Sequence, residues 1–319
     1  MTSTHSKHAR IVLTGPTGWI GRALLALMHR AGDIDSVGGS DELSLFGSGE
    51  GTVTVAGGPE LAVRALAQIT PSDVAGAHVI HLAYLTKDKV AGLGDAEFYR
   101  ANRAIDDALM SAITAAKPAS LFVASSGAAH LAQSGQDDHP YGMAKLEQER
   151  RYLDWARESG VPTLCGRIFN VAGPHINKLD AYAVSNFAVQ ALRDGHIKIA
   201  ATQPVFRSFL HVEDLCRIVL RAAKQRLNSD RPLDLCGAEL LEMQDIAELV
   251  AREVEPDIPV SRLPLHFDDW SEYLGCAIDT WLLAARLSVR LSPAQMQVRD
   301  TVNWIRDLEG QASPRALAT

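Results

Sequence analysis

Three side chains in the middle of the chain have the types and spacing needed to move a proton. Tyr141 and Lys145 in "YGMAK" are four residues apart, so on a helix they lie on one face. A phenol is a poor base at neutral pH, and a nearby ammonium group favours its ionised form. Ser125 and Ser126 end an apolar run upstream, and a hydroxyl from either would bind the oxygen that gains or loses the proton.

A glycine-rich turn near the start of the chain predicts a dinucleotide site. The segment "TGPTGWIG" follows the apolar run "RIVLT" and precedes a helical pattern. Gly15 permits the tight turn, Gly18 lets the backbone approach a pyrophosphate, and Gly21 allows the helix to pack closely on the sheet. The helix N-terminus would face the anion. The positive charge of a bound nicotinamide would further favour a Tyr141 phenolate.

The cofactor type depends on the residues that follow the second predicted strand. Asp41 lies about 20 residues beyond Gly21, the usual offset of the acid that holds the adenosine ribose of NAD. Ser40 beside it would instead contact the extra phosphate of NADP. No arginine follows closely, so the sequence favours NAD over NADP.

Repeated alternation of short apolar runs and helical patterns predicts the elements that position these residues. The fold class is α/β, a Rossmann-type doubly wound parallel sheet with a smaller C-terminal α/β substrate lobe. The dinucleotide-binding domain is expected at 1–170 with a return segment at 206–225, and the substrate-binding lobe at 171–205 and 226–319. Within the first domain, strands are expected at 10–14, 35–39, 52–57, 77–83, 120–126 and 162–170, and helices at 20–32, 60–69, 95–117 and 140–160.

Composition excludes several classes of function. The net charge of −7 argues against nucleic-acid and anionic-membrane partners, and no apolar run reaches membrane-spanning length. The histidines lack metal-ligand spacing, so no metal is expected. The four cysteines are far apart, which is typical of buried thiols in a reducing compartment. A cytoplasmic enzyme with a small-molecule substrate is the resulting expectation.

Six segments occur in the order found in one enzyme family: "TGPTGWIG", "VIHLA", "ASSGA", "YGMAK", "RIFNVAGP" and "FRSFLHVEDL". The chain resembles the extended short-chain dehydrogenases/reductases, in particular the NAD-dependent epimerase/dehydratase branch that acts on nucleotide sugars and includes UDP-galactose 4-epimerase-like enzymes. The resemblance implies that Tyr141 is the acid/base, that Lys145 is its partner, and that Ser126 rather than Ser125 is the catalytic hydroxyl. It also implies a homodimer, formed through the helices at roughly 95–117 and 140–160.

The resemblance further implies the residues that bind cofactor and substrate. Residues matching the cofactor positions are Gly15, Thr17, Gly18, Trp19, Ile20, Gly21, Asp41, Leu82, Ala83, Asn102, Tyr141, Lys145 and Phe169. Residues matching the substrate positions are Ser126, Asn170, His175 and Arg207, of which Arg207 would hold a substrate phosphate. His211 and Asp214 in "HVEDL" are interpreted as structural, and the roles of His130 and His175 stay open.

One departure from the family narrows the reaction. Sugar 4,6-dehydratases carry an Asp-Glu pair directly after the catalytic threonine, where this chain has Gly127 and Ala128. The predicted function is therefore an NAD-dependent nucleotide-sugar epimerase or dehydrogenase/ketoreductase. The alternatives are an NADP-dependent reductase of a non-sugar carbonyl compound and a non-catalytic dinucleotide-sensing protein.

Overall fold

The computed structural model describes residues 10–31 and 43–312. They form two compact units, the first comprising the described residues up to Arg167 together with Cys216–Leu233, and the second Ile168–Leu215 together with the described residues from Asp234 onward. The strands are β1 (Ile11–Thr14), β2 (Leu43–Gly47), β3 (Gly51–Thr54), β4 (Glu60–Ala65), β5 (His78–His81), β6 (Ser120–Ser126), β7 (Thr163–Ile168), β8 (Asn170–Ala172), β9 (Ile197–Ile199), β10 (Val205–Arg207), β11 (Phe209–His211), β12 (Leu233–Leu235), β13 (Leu241–Glu242), β14 (Val260–Arg262) and β15 (Ser271–Tyr273). The α-helices are α1 (Trp19–Arg30), α2 (Pro71–Val74), α3 (Val90–Leu93), α4 (Asp95–Ala115), α5 (Gly127–Gln133), α6 (Pro140–Ser159), α7 (Ala183–Asp194), α8 (Val212–Lys224), α9 (Met243–Val254), α10 (Ala277–Arg286) and α11 (Ala294–Ala312).

An eight-stranded sheet, in the order β12-β7-β6-β5-β1-β2-β4-β3, confirms the predicted Rossmann-type fold. β1 pairs in parallel with both β2 and β5, and β5 pairs in parallel with β6. The chain thus adds β2, β3 and β4 on one side of β1, and then returns to add β5, β6 and β7 on the other side. Ligands of such sheets bind at the carboxyl ends of the strands where the order reverses. The relevant edge here is formed by the ends of β1 and β5.

The core of the first unit explains the position of α4 and α6. Leu109 and Ile113 on α4 are fully buried together with Val123 of β6 and Tyr152 of α6. Burying each large apolar side chain contributes about 1.5–3 kcal/mol. The two helices are therefore held firmly against the sheet, and the functional side chains that they carry are fixed in place.

The second unit has its own core and smaller sheets. β13, β10 and β15 form a three-stranded sheet, while β8 pairs with β11 and β9 with β14. Apolar side chains of α7, α9 and α11 pack together; among them Ala188, Val250 and Val302 are fully buried.

One predicted element of the first unit is wrong. Residues 60–69, expected as a helix, instead begin with strand β4, which pairs with β3 and β2. The residues of this segment favour a helix, but hydrogen bonds to the neighbouring strands stabilise a strand instead, and local propensity does not include such bonds. The strand expected at 35–39 lies outside the described residues, and the strand that pairs with β1 is β2. One cysteine also differs from expectation, because Cys276 is exposed whereas the other three are buried.

Candidate active site

The glycine turn has the geometry that a dinucleotide requires. Gly15 has a φ of +74°, and a Cβ atom there would lie 2.8 Å from the Ala83 nitrogen, so no other residue fits without strain. A Cβ atom on Gly21 would lie 2.3 Å from the Gly15 oxygen. Helix α1 follows with Gly18 as its N-cap and no acidic residue in its first turn. Its N-terminus, which carries predicted residues Thr17, Trp19 and Ile20, suits a phosphate group.

The loop after β5 lies against this turn. The backbone nitrogens of Leu82 and Ala83 donate to Thr14 Oγ1 at 3.2 and 3.1 Å. Further along the loop, the Leu85 nitrogen donates to Asn102 Oδ1 at 2.8 Å, and Asn102 Nδ2 donates to the Phe98 oxygen at 3.2 Å. Asn102 is buried, and its side chain binds the backbone of the loop. Its geometry therefore favours support of the site over direct contact with a cofactor.

The expected ribose-binding acid, Asp41, lies outside the described residues, so its role stays a prediction. The described strand that pairs with β1 is β2, which ends after Asp41, at Gly47. Since β1 and β2 are parallel, the cofactor edge of β2 is at Gly47, and the carboxylate that follows it is Glu50. Glu50 is exposed and accepts a hydrogen bond from Gln68 Nε2 at 2.9 Å.

Helix α6 places Tyr141 and Lys145 as the sequence predicts. Pro140 occupies the first turn, and His139 caps the helix by accepting the Tyr141 backbone N–H at Nδ1, at 3.1 Å. Tyr141 is thus in the first turn, where the partial positive charge of the helix favours a phenolate. Gly160, in the left-handed conformation, ends the helix.

Lys145 is buried, and its ammonium group is held by specific partners. Lys145 Nζ donates to the Ala124 oxygen at 2.8 Å and to Gln148 Oε1 at 2.9 Å. The same nitrogen lies 3.6 Å from the centroid of the Tyr84 ring, a cation–π contact. Burial lowers the pKa of Lys145 to about 8, an effect that the Asp106 carboxylate partly offsets.

Tyr84 is a site residue that the sequence analysis missed. Its ring contacts Lys145 and also lies edge-on to the Tyr141 ring, with centroids 6.4 Å apart. Burial raises the pKa of Tyr84 well above its usual range, so this phenol stays neutral. Only its position directly after "VIHLA" could have indicated a site residue, because tyrosine is common in loops.

The geometry separates the two candidate serines. Ser125 Oγ donates to Glu149 Oε1 at 2.5 Å, and Glu149 forms a buried, bidentate ion pair with Arg167 at 2.8 and 2.7 Å. Ser125 is therefore engaged in the core. Ser126 ends β6 and caps α5, its Oγ accepting the Ala128 N–H at 3.2 Å. Ser126 is the serine at the carboxyl edge of the sheet, as the resemblance implies.

Gly142 brings α6 against α5. A Cβ atom on Gly142 would lie 2.7 Å from the Ala128 oxygen, so only glycine permits this approach. Since Gly142 follows Tyr141 and Ala128 lies two residues after Ser126, the contact brings the start of α6 close to the end of β6. His130 lies on α5, and its role stays open.

Arg207, a predicted residue of the second unit, lies on β10 and contacts β15. Arg207 donates to the Phe206 oxygen at 2.7 Å and to Ser271 at its oxygen and its Oγ, both at 3.2 Å. Burial lowers the pKa of the half-buried Arg207 guanidinium. Among the described residues, no carboxylate forms an ion pair with it. An arginine whose hydrogen bonds go only to neutral acceptors can still bind an anionic ligand.

The remaining predicted residues of this unit make contacts with aromatic side chains and with backbone oxygens. Asn170 Nδ2 donates to the Tyr273 oxygen at 3.2 Å, and the Phe169 ring lies 5.0 Å from the Tyr273 ring. His175, at a φ of +67°, packs against Trp304 with ring centroids 4.6 Å apart. These contacts place Phe169 and Asn170 beside the same tyrosine.

His211 and Asp214 have structural contacts. His211 Nδ1 accepts the Glu213 N–H at 3.1 Å, and its Nε2 lies 3.2 Å from Asp300 Oδ2. The Asp214 carboxylate accepts the Ser292 N–H at 2.7 Å. Both geometries agree with the sequence-based interpretation of these residues as structural.

A cavity of about 530 Å³ in the second unit does not coincide with the predicted site. Phe206, Phe267, Trp270 and the Arg262–Glu242 ion pair line it. Successive side chains of a strand point to opposite faces, so Phe206 points into this cavity and Arg207 away from it.

Two features are absent from the described part of the chain. None of its helices is long and apolar enough to cross a bilayer. No cluster of three or more His, Cys, Asp or Glu side chains suited to a metal ion occurs within the same residues.

The sheet order, the glycine turn and the Ser126, Tyr141 and Lys145 positions define an extended short-chain dehydrogenase/reductase. The model of the NAD dependent epimerase/dehydratase family matches residues 11–236, and the chain belongs to that family. Membership confirms the predicted family, the class of enzyme and NAD as the cofactor.

Solved structures share this fold over nearly the whole chain. A UDP-N-acetylglucosamine 4-epimerase from Methanobrevibacter ruminantium M1, in complex with UDP-N-acetylmuramic acid, aligns with a TM-score of 0.72 at 18% identity, covering 95% of this chain and 99% of that one. MoeE5 in complex with UDP-glucose and NAD aligns with a TM-score of 0.70 at 20% identity, covering 94% and 100%. At these identities the likeness concerns the fold.

Curated relatives match a shorter stretch. UDP-glucuronic acid decarboxylase 6 of Arabidopsis thaliana is 29% identical over 129 residues, which are 40% of this chain and 37% of that protein. A UDP-glucuronic acid decarboxylase 1 of Danio rerio is 26% identical over 129 residues, covering 40% and 30%. The match therefore spans only about a third of the length of these relatives.

Proposed function

We propose that the chain is an NAD-dependent nucleotide-sugar epimerase or dehydrogenase/ketoreductase in which Tyr141 is the acid/base. One observation carries this proposal. A buried ammonium group, Lys145 Nζ, is held by two oxygen acceptors one helical turn from Tyr141, at the start of a helix. Helix charge and lysine charge act together to favour the phenolate at neutral pH.

The proposed reaction begins at a sugar hydroxyl. Ser126 Oγ orients the hydroxyl oxygen, and Tyr141 Oη accepts its proton as a hydride leaves the same carbon. NAD, when bound, supplies the acceptor for that hydride. The resulting keto sugar is either released, which is the dehydrogenase outcome, or turned over and reduced on its other face. In the second case Tyr141 returns the proton and an epimer is formed.

The residues of the glycine turn fit the cofactor. The Gly15–Gly21 turn and the α1 N-terminus would hold the pyrophosphate, and the loop at Leu82 and Ala83 would lie beside it. For the adenosine ribose, Glu50 is the described carboxylate that follows the correct strand edge. Glu50 therefore joins Asp41 as a candidate for that contact.

A nucleotide sugar is the proposed substrate class. UDP-sugar epimerases are among the structures that share the fold, and the curated relatives are UDP-glucuronic acid decarboxylases. Arg207, held only by neutral partners among the described residues, would bind the diphosphate, with Asn170 and His175 as further substrate contacts. The decarboxylase relatives add UDP-glucuronic acid to the substrates to be tested.

The alternatives receive less support. Neither the family nor the similar proteins favour a non-sugar carbonyl substrate, and the intact Tyr141–Lys145 pair argues against a non-catalytic sensor. Gly127 and Ala128 supply no carboxylate for the second proton transfer of a 4,6-dehydratase. The homodimer through α4 and α6 and the cytoplasmic location stay predictions, and light scattering after size-exclusion chromatography would test the first.

A Tyr141→Phe variant tests the proposed function. The protein is incubated with NAD or NADP and with UDP-glucose, UDP-N-acetylglucosamine or UDP-glucuronic acid, and epimer, keto sugar, reduced cofactor and carbon dioxide are quantified. We expect turnover of the accepted substrate to fall by about 10²–10⁴ in Tyr141→Phe. Tyr182→Phe, at the start of α7, is the matched control and should keep full activity. Undiminished turnover by Tyr141→Phe would refute the assigned role.

A further inference from the structure

A hydrogen-bonded network of buried polar side chains extends from Lys145 in the first unit. Gln148, which accepts from Lys145, donates through Nε2 to Asp106 Oδ1 at 2.7 Å. His81 Nε2 lies 3.2 Å from the same Asp106 oxygen, and His81 Nδ1 lies 2.7 Å from Thr14 Oγ1. All five side chains are at most 5% exposed. This network thus joins the end of β1, the end of β5, α4 and α6.

The direction of each hydrogen bond follows from the donors available. Thr14 Oγ1 already accepts the N–H groups of Leu82 and Ala83, so its own hydrogen is assigned to His81 Nδ1. His81 then carries its proton on Nε2 and donates it to Asp106. Gln148 donates to Asp106 through its amide nitrogen and accepts from Lys145 through its oxygen. The hydrogen bonds of the network are thus all directed towards Asp106, either directly or through Gln148 and His81, as an ionised carboxylate requires.

The other charged groups around Lys145 are compensated. Glu149 is paired with Arg167 and also accepts from Ser125. Burial raises the pKa of the Cys165 thiol, which therefore stays neutral. Of the neighbouring acids that favour the charged form of Lys145, Asp106 has the largest effect on its pKa, although burial outweighs it. Asp106 is thus the carboxylate to which the lysine charge is coupled.

The surroundings of Asp106 itself are also defined. Arg151 Nη1 lies 4.0 Å from Asp106 Oδ2 and pairs with the exposed Asp107 as well. The ring of the buried Tyr152 packs against the His81 ring at a tilt of 49°, with centroids 5.5 Å apart, and burial raises the pKa of the Tyr152 phenol. Arg151 is therefore the cation on the outer side of Asp106.

We propose that Asp106, acting through Gln148, is a positioning residue that holds Lys145 protonated and in place one helical turn from Tyr141. Burial opposes an ammonium charge unless hydrogen bonds and an opposite charge compensate for it. Gln148 fixes the position of Lys145 Nζ, and Asp106 both fixes the orientation of the Gln148 amide and supplies the charge. The catalytic relevance of this arrangement rests on the proposed function, in which the lysine charge assists Tyr141.

The test measures the pKa of Lys145 directly in the ligand-free protein. Wild type and Asp106→Asn are labelled with ¹³C-lysine and titrated by NMR, with the signal assigned through Lys145→Met. We expect the Lys145 pKa to fall by on the order of one unit in Asp106→Asn, because the carboxylate with the largest effect on that pKa is lost. Asp107→Asn is the matched control. It removes the same charge from the next, exposed position of α4 and should leave the Lys145 pKa unchanged.

Activity gives a second, separate readout. The alkaline limb of kcat/KM should lie near the Lys145 pKa and move to lower pH in Asp106→Asn, since a neutral lysine no longer stabilises the phenolate. If Tyr141→Phe stays active, the proposed function fails while the NMR titration still decides the role of Asp106. An unchanged Lys145 pKa in a folded Asp106→Asn protein overturns the inference. If that variant does not fold, Gln148→Met decides it: a lower Lys145 pKa supports the inference and an unchanged one refutes it.

Discussion

Lys145 in the first unit and Arg207 in the second are both cations of the predicted site, but their surroundings differ. Lys145 is buried, contacts a carbonyl, an amide and an aromatic ring, and is coupled through Gln148 to the Asp106 carboxylate. Arg207 is half-buried, and its hydrogen bonds go to two carbonyl oxygens and one hydroxyl.

The difference indicates two distinct tasks. A lysine whose charge must assist a neighbouring phenol has to be protonated before any ligand arrives, so the protein supplies its counter-charge internally. An arginine that binds a phosphate keeps its charge in any case, and an internal carboxylate would compete with the ligand. On this comparison, Lys145 should control the rate of the reaction, whereas Arg207 should control affinity for the substrate.

The largest expected effect comes from Lys145→Met. Turnover should fall by about 10²–10⁴, because the phenolate of Tyr141 loses its stabilising charge. The melting temperature should fall, because the Ala124 oxygen and Gln148 Oε1 lose their buried donor and Asp106 loses a nearby cation. Steady-state kinetics and calorimetry measure the two quantities. Full turnover in Lys145→Met would mean that the internal network serves stability alone.

A smaller effect is expected for Arg207→Ala. KM for the nucleotide sugar should rise by about 10- to 100-fold with a much smaller change in kcat, because a charge-assisted contact with phosphate is lost. Arg262→Ala is the matched control. Arg262 forms an ion pair with Glu242 at 2.7 Å. Burial raises the pKa of Glu242, but hydrogen bonds from Arg262 and from backbone N–H groups outweigh this effect and lower the pKa to about 2. The loss of Arg262 should lower the melting temperature and leave KM unchanged; the reverse pattern would contradict the assignment of the two arginines.

The smallest expected effect concerns Tyr84, which contacts Lys145 through its ring. Tyr84→Leu should reduce kcat/KM by about 2- to 30-fold, the range of a cation–π contact of roughly 0.5–2 kcal/mol. Tyr84→Phe keeps the ring face and should retain wild-type activity, since the hydroxyl is not what contacts Lys145 Nζ. Equal losses in both variants would show that the ring face is not the relevant feature.

Local motifs were predictable because they are set by backbone geometry and short spacing. The turn at Gly15–Gly21 and the positions of Tyr141 and Lys145 on one helical face follow from residue type alone. The region of β2 and β4 was not predictable in the same way. The segment "ELAVRALAQI" has helix-favouring residues, yet its first six residues form β4 because β2 and β3 provide hydrogen-bonding partners.

The sequence by itself determined the family, the sheet type, the glycine turn and the identity of the candidate acid/base pair, since each depends on neighbours in the chain or on fixed spacing. Only the tertiary structure decided what surrounds that pair. Asp106 and Gln148 are 42 residues apart, and Tyr84 contacts a lysine on a different element. Their contacts exist because α4, α6 and the end of β5 pack on one sheet, and no local pattern encodes such a meeting. The same packing engages Ser125 with Glu149 and leaves Ser126 at the strand end.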